Sequence, residues 1–238
     1  MNYNFIEKIA STNSFVKEKI DELPDWYTLR AEEQTGGRGR FGRTWFCEKG
    51  NDIAMSVLIT IDKEISPFLP NLTQIVGVSV AQILDKEGVA TEIKWANDVL
   101  INNRKICGIL LEGVSFGENV KVAAGIGLNV NSIRKNQNEI YAISLFDETK
   151  RIFNLDDLAK EIVQNIIENV QNLRKNGLKE FIDILNDKLA YKNKQKTIIN
   201  GKERITGTIF GVSEAGELLL QTESGIRKFI SGEISFEK

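Results

Sequence analysis

The sequence predicts an α/β fold of the α+β kind, with a small β-barrel at its C-terminal end. Three observations carry this expectation. Residues 28–130 hold short apolar runs rich in β-branched side chains, broken by glycine and asparagine. From Asn154 the apolar spacing becomes helical. Beyond Lys192–Lys196, short strands and glycine turns alternate for about 45 residues, as in a small barrel. The composition change at Lys192–Lys196 is read as a linker, giving a unit of residues 1–190 and a second of 191–238.

Taken in order, Ser11-Thr12-Asn13 ahead of Phe15, Val16 and Ile20 reads as a helix start, because these side chains accept hydrogen bonds from free backbone N–H groups. Ile53–Ile61 suits a buried strand. A helix is expected from Pro70 to Lys86, with proline in its first turn and Gly88 just past its end. Val99-Leu100-Ile101, Asn102-Asn103 and Lys105–Glu112 read as a hairpin, since asparagine tolerates the positive φ of its turn. A further turn is expected at Ser115–Asn119, leading into Val120–Val130. Asn154 is a candidate cap for a long helix through Leu158, Ile162, Ile166 and Val170, and another helix follows Gly177.

Composition excludes several chemistries. The chain has no histidine, which rules out Ser-His-Asp and Cys-His groups and any imidazole zinc site. Its two cysteines, Cys47 and Cys107, cannot build a four-cysteine metal site or a disulfide framework, and fit a reducing cytoplasm as inert thiols. A net charge of -2 argues against coating nucleic acid or an anionic membrane. Met1–Phe5 has no signal-peptide pattern, and no uninterrupted apolar run of membrane-spanning length is seen, so a cytoplasmic protein is expected.

Three segments suggest ligand chemistry. In Gln34-Thr35-Gly36-Gly37-Arg38-Gly39-Arg40-Phe41-Gly42-Arg43-Thr44-Trp45, glycines let the backbone turn tightly, Arg38, Arg40 and Arg43 offer paired donors to phosphate, and Trp45 offers a flat surface. By composition alone the same loop also suits a basic surface segment or an RNA contact. It is neither a Walker A loop nor a Rossmann fingerprint. In Lys94-Trp95-Ala96-Asn97-Asp98 and Arg104–Glu112, a lysine opening an apolar strand needs an anionic partner, and Asp98 could hold Lys105 or a magnesium ion. A hairpin with edge lysines that discourage pairing is the plain alternative. In Gly125-Ile126-Gly127-Leu128-Asn129, strand glycines suggest close approach of a ligand or another backbone, and Asn129 could read a purine edge.

The order and spacing of these segments resemble the biotin–protein ligase family. Its Gly-Arg-Gly-Arg-x-Gly-Arg-x-Trp loop is matched by Gly37–Trp45, its Arg-Lys-x-x-Gly-Ile-Leu-x-Glu by Arg104–Glu112, and its Gly-x-Gly-x-Asn by Gly125–Asn129. Ser11-Thr12-Asn13 matches an early family element, while Gly216–Leu220 and Ser231–Ser235 resemble its terminal barrel. Ala96 departs from the pattern, standing where the family has proline and leaving that turn less constrained. The resemblance implies a catalytic domain like the class II aminoacyl-tRNA synthetase core, with a mainly antiparallel sheet, plus an SH3-like barrel.

It further implies that biotin and ATP form biotinyl-adenylate, from which biotin passes to a lysine of a biotin carboxyl carrier domain. Ser11, Thr12, Asn13, Gln34, Gly37, Arg38, Arg40, Lys105 and Gly108 would bind biotin, with Ser11, Thr12 and Gln34 on its ureido ring. Arg38, Arg40, Arg43, Trp45, Asn97, Lys105 and Asn129 would bind ATP or the adenylate, Trp45 and Asn129 beside adenine. Lys105, Arg40 and Asp98 form the implied catalytic group, and Mg2+ would arrive on the ATP phosphates with Asp98 as the candidate protein ligand. A lipoate or octanoate ligase is the nearest alternative, and the Gly37–Trp45 loop favours biotin. A DNA-binding repressor is not expected, because only about ten residues precede Ser11. A nucleotide-binding module without catalysis is a third reading. No membrane partner is expected, and pairing into a homodimer is left open.

Overall fold

A computed structural model describes residues 1–116, 119–134 and 141–235. The order begins β1 (Asn2–Ile9), α1 (Thr12–Glu18), β2 (Tyr27–Gln34), β3 (Ile53–Ile61) and α2 (Leu72–Lys86). It continues with β4 (Glu92–Lys94), β5 (Asp98–Ile101), β6 (Arg104–Phe116), β7 (Asn119–Leu128), α3 (Leu145–Thr149), α4 (Leu155–Asn176) and α5 (Lys179–Asp187). The chain closes with β8 (Gln195–Asn200), β9 (Glu203–Val212), β10 (Leu218–Thr222), β11 (Gly225–Phe229) and β12 (Glu233–Ile234).

The first sheet has seven strands in the order β1-β2-β3-β7-β6-β5-β4. Every pairing is antiparallel except β1 with β2. Alternation along β3 divides the two faces. Val57 and Ile59 join the main core beneath α2 and α4, while Leu58 joins Val16, Ile20 and Ala123 beneath α1. Asn154 caps α4 by accepting from the N–H groups of Asp156 and Asp157, and Gly177 ends it at φ 71. Asn102 and Asn103, at φ 51 and 62, make the expected hairpin turn. The turn expected at Ser115–Asn119 falls across residues 117–118, outside the described residues.

Several expectations shift. The helix placed at Pro70 begins at Leu72, because a 3₁₀ segment, Ser66–Asn71, first takes up the prolines. Ser66–Lys86 is long and apolar enough to cross a membrane by length and composition only, and polar residues such as Asn71, Gln74 and Gln82 interrupt it. Here its Leu72, Ile75, Val76 and Leu84 lie in the core. The linker placed at Lys192–Lys196 overlaps the start of β8. The C-terminal barrel takes the form of a five-stranded antiparallel sheet, order β11-β10-β9-β8-β12. Its Ile198, Ile209, Leu218 and Phe229 are continuous with the main core.

Candidate active site

Small residues on neighbouring strands hollow out the α1 face of the large sheet. Ala54 on β3 pairs with Gly127 on β7, which pairs with Gly108 on β6; one step along, Ser56 pairs with Gly125 and Gly125 with Leu110. The close approach expected at the glycines is found. A Cβ on Gly127 would lie 2.1 Å from Trp45 Nε1, and one on Gly125 would lie 3.0 Å from Asn13 Oδ1.

The N-terminus of α1 supplies the polar end of this hollow. Ser11 caps the helix by accepting from the Ser14 N–H. The Thr12 N–H and hydroxyl donate to Gln34 Oε1 at 2.8 and 3.1 Å. Thr12 Oγ1 also meets Ser56 Oγ at 2.8 Å, and the Ser56 hydroxyl donates to Asn13 Oδ1 at 3.1 Å. Asn13 Nδ2 in turn donates to Glu112 at 2.7 Å.

The glycine–arginine loop folds over the hollow as a small flap. Trp45 N–H donates to Gly37 O, and Gly39 N–H to Arg43 O, so its two limbs pair. The tip turns at Phe41 and Gly42, with φ of 57 and 73. Each arginine is anchored on a different element. Arg38 donates to Ser14 Oγ at 3.0 Å and to Glu112 on β6 at 2.7 Å. Arg40 donates to Asn97 Oδ1, between β4 and β5, at 2.7 Å. Arg43 donates to both oxygens of Glu233 on β12, at 2.7 and 2.8 Å. Trp45 lies across Gly108 and Gly127, its Nε1 donating to Cys47 Sγ at 3.1 Å.

At the far end two ammonium groups face one carboxylate. Lys105 Nζ lies 2.7 Å from Asp98 Oδ1, and Lys94 Nζ lies 3.8 Å from Asp98 Oδ2. With half-buried Arg40 close by, the cluster carries excess positive charge in a poorly solvated place, which suits an anionic guest. Burial pushes Lys94 down to about 8, against the pull of Asp98. Its folded value lies below its unfolded one, so between about pH 8 and 10.5 the unfolded chain holds a proton that the folded protein has shed. Stability therefore rises with pH across that window. Lys94→Met is expected to remove a slope of up to ~1.4 kcal/mol per pH unit. Denaturant midpoints of both proteins from pH 7 to 11 check this; equal pH profiles would refute it.

Ser11, Thr12, Asn13, Gln34, Arg38, Arg40, Trp45, Asn97, Lys105 and Gly108 line one cavity. Leu110 adds apolar wall, while the side chains of Met55, Ile109 and Ile126 belong to the main core on the other face of the sheet. Gly37 shapes the flap instead, because a Cβ there would strike Trp45 O at 2.3 Å. Arg43 and Asp98 border an adjoining cleft with Glu233. Asn129 is not brought to the cavity. It is buried, its amide donating to Ile143 O at 3.0 Å and its oxygen accepting from Arg134 at 2.9 Å, so it braces the chain after β7.

Asp98 is engaged by two lysines, and among the described residues no three His, Cys, Asp or Glu side chains gather to hold a metal. The protein's own residues therefore do not fit a dedicated magnesium site. The Trp95–Ala96 peptide is cis. Both cysteines are free and buried; burial pushes the Cys47 thiol up to about 12 and that of Cys107 in the same direction, as inert thiols require. Ser56, Glu112, Lys94 and Glu233 were not singled out from the sequence as site residues. Glu112 and Lys94 lie inside motifs whose roles become legible only once the strands pair.

Residues 5–131 match the biotin/lipoate A/B protein ligase family, more than half of the chain. The chain belongs to that family. Residues 194–237 match the biotin protein ligase C-terminal domain, so the last sheet is SH3-like. Among the family's curated members, the bifunctional ligase/repressor BirA of Bacillus subtilis is 33% identical over 243 residues, covering 95% of this chain and 71% of the relative. The biotin–[acetyl-CoA-carboxylase] ligase of Paracoccus denitrificans is 38% identical over 132 residues, covering 52% of this chain and 53% of the relative. Among solved structures, the biotin protein ligase of Aquifex aeolicus in complex with biotin and ATP superposes with a TM-score of 0.87. It is 29% identical, with 98% of this chain and 97% of that one covered.

Proposed function

We propose that this chain is an ATP-dependent biotin–protein ligase, forming biotinyl-5'-AMP and transferring the biotinyl group to a lysine of a biotin carboxyl carrier domain. One observation carries the reading: the order of surfaces along the cavity. A neutral hydrogen-bonding end (Thr12, Asn13, Gln34) beside Gly125 is followed by apolar surface (Leu110, Trp45) and then by cations (Lys105, Arg40). Biotin has the same order, from ureido ring through ring sulfur and alkyl chain to carboxylate. Lipoate has no ureido group, so it would leave the Thr12–Gln34 end unmatched.

The chemistry needs no histidine. The biotin carboxylate attacks the α-phosphorus of ATP and pyrophosphate leaves. The carrier lysine's amine then attacks the carbonyl carbon of the mixed anhydride, and AMP leaves. Negative groups must be brought together in the first step, and Lys105 and Arg40 are fixed where they offset that charge. Asp98 holds Lys105 in place rather than moving a proton. Magnesium carried on the nucleotide phosphates would offset part of their charge. The flap excludes water from the anhydride until the amine arrives. On this reading residues 1–190 form the catalytic domain and 191–238 the SH3-like one, and the enzyme works in the cytoplasm.

Biotin-dependent ATP–pyrophosphate exchange, run beside lipoate, tests the assignment. Exchange with lipoate alone would overturn it. Arg40→Gly cuts the anchor to Asn97 and removes a cation from the cavity. It is expected to let adenylate escape and label bystander lysines about tenfold more than wild type, the scale of a lost charge-assisted hydrogen bond. Labelling confined to the carrier would remove this role from Arg40.

A further inference from the structure

Glu233 belongs to the C-terminal sheet, yet it forms one wall of the cleft beside Asp98 and Lys105. Its two oxygens receive the two terminal nitrogens of Arg43, which fixes the direction of the flap as well as its distance. Burial pushes this carboxyl up, but the Arg43 hydrogen bonds, with Lys94 and Arg40 nearby, outweigh it and hold it below the usual range. Glu233 is therefore charged at neutral pH.

The sheet that carries Glu233 is docked firmly on the far side of the same catalytic segment. Trp95 Nε1 and Gln74 Nε2 donate to Gly216 O at 3.2 and 2.9 Å, and Asn71 Nδ2 donates to Ala215 O at 2.9 Å. A Cβ on Gly216 would meet Asn71 at 2.0 Å, so the contact is backbone-close. The unit thus grips the residues next to Lys94 from behind and reaches over to the flap in front.

We propose that Glu233 is a positioning residue for the anhydride intermediate: its two-point pairing with Arg43 keeps the glycine–arginine flap shut until an amine arrives. The proposal rests on the ligase reading above and gives Arg43 a task other than the phosphate contact expected for it. Arg43 is 62% exposed, so the opposing view is an ordinary surface ion pair of little consequence.

The test uses the full chain as wild type, as Glu233→Gln, and as the exchanged pair Arg43→Glu with Glu233→Arg. Biotin transfer to a carrier domain and to serum albumin as bystander is followed at low and high salt. Glu233→Gln is expected to raise the bystander-to-carrier ratio about three- to tenfold, as loss of a half-exposed charge-assisted pair would. In wild type that ratio should climb with salt toward the value of the variant, and in the variant it should climb less. The exchanged pair should bring the ratio back toward wild type, which a purely structural defect would not allow. An unchanged ratio in Glu233→Gln, or a rise that the exchanged pair leaves in place, overturns the proposal while the ligase reading stands. Absence of biotin-dependent pyrophosphate exchange in wild type would take down both.

Discussion

Lys105→Ala is expected to slow biotin-dependent pyrophosphate exchange by about two to three orders of magnitude, the usual scale for losing one preorganised stabiliser of developing charge. Lys105 Nζ lies 2.7 Å from Asp98 and 5.1 Å from the centroid of the Trp45 ring, on the wall of the cavity. Without it, Asp98 keeps Lys94 as its partner, so the carboxylate is not stranded and the fold should survive. The cluster instead loses the cation that makes it attractive to a carboxylate and a phosphate together. Lys105→Arg should rescue poorly. Space beside Lys105 is bounded by Gly108, where even a Cβ would lie 3.0 Å from the lysine's Nζ and 2.8 Å from Trp45. Exchange rates in both variants, with melting temperature as the control for folding, decide the matter; a near-normal rate in Lys105→Ala would take Lys105 out of the reaction.

Gly127→Ala should do nearly as much damage without touching a charged group. The new methyl would sit 2.1 Å from Nε1 and 2.2 Å from Cε2 of Trp45, a rigid ring that cannot yield as a flexible side chain would. Trp45 must leave its place, breaking its contact with Cys47 and taking the second limb of the flap with it. Displacement by about 1 Å near reacting groups can cost on the order of a hundredfold in rate. A fall of that size in exchange is expected, with a red shift of tryptophan emission as the ring meets water. Gly113→Ala serves as the comparison, because its Cβ would find only ordinary contact with Val122 at 3.7 Å. Equal activity in the two variants would show that Trp45 does not depend on the glycine floor.

Local features were legible from the residues alone. The bounds of β3, the cap at Asn154 and the asparagine turn between β5 and β6 each depend on neighbours a few positions away, and the structure has them where expected. The glycine–arginine loop was likewise visible, because anion-binding chemistry was concentrated in one stretch. Features set by distant pairing were not. β1 was missed: its buried and exposed residues do not alternate cleanly, and its parallel partner β2 lies some 25 positions on. Asn129 was read as a ligand contact because its amide can donate and accept, but Arg134 and Ile143 already satisfy it. Glu233 stood out only as part of the Ser231–Ser235 resemblance and not as a site residue, since its partner Arg43 is 190 residues away. The C-terminal unit, by contrast, was legible as a rhythm of short strands and glycines, and its match to an SH3-like domain agrees with that reading.

The hollow over Ala54, Gly108, Gly125 and Gly127 also links occupancy to durability. Three glycines and an alanine make room there for Trp45 and Asn13, and a molecule held beneath the flap adds its own contacts to theirs. Whatever settles there selects the native state over the unfolded one by mass action. Scarcity of substrate then does more than idle the enzyme: it withdraws part of what keeps the polypeptide folded.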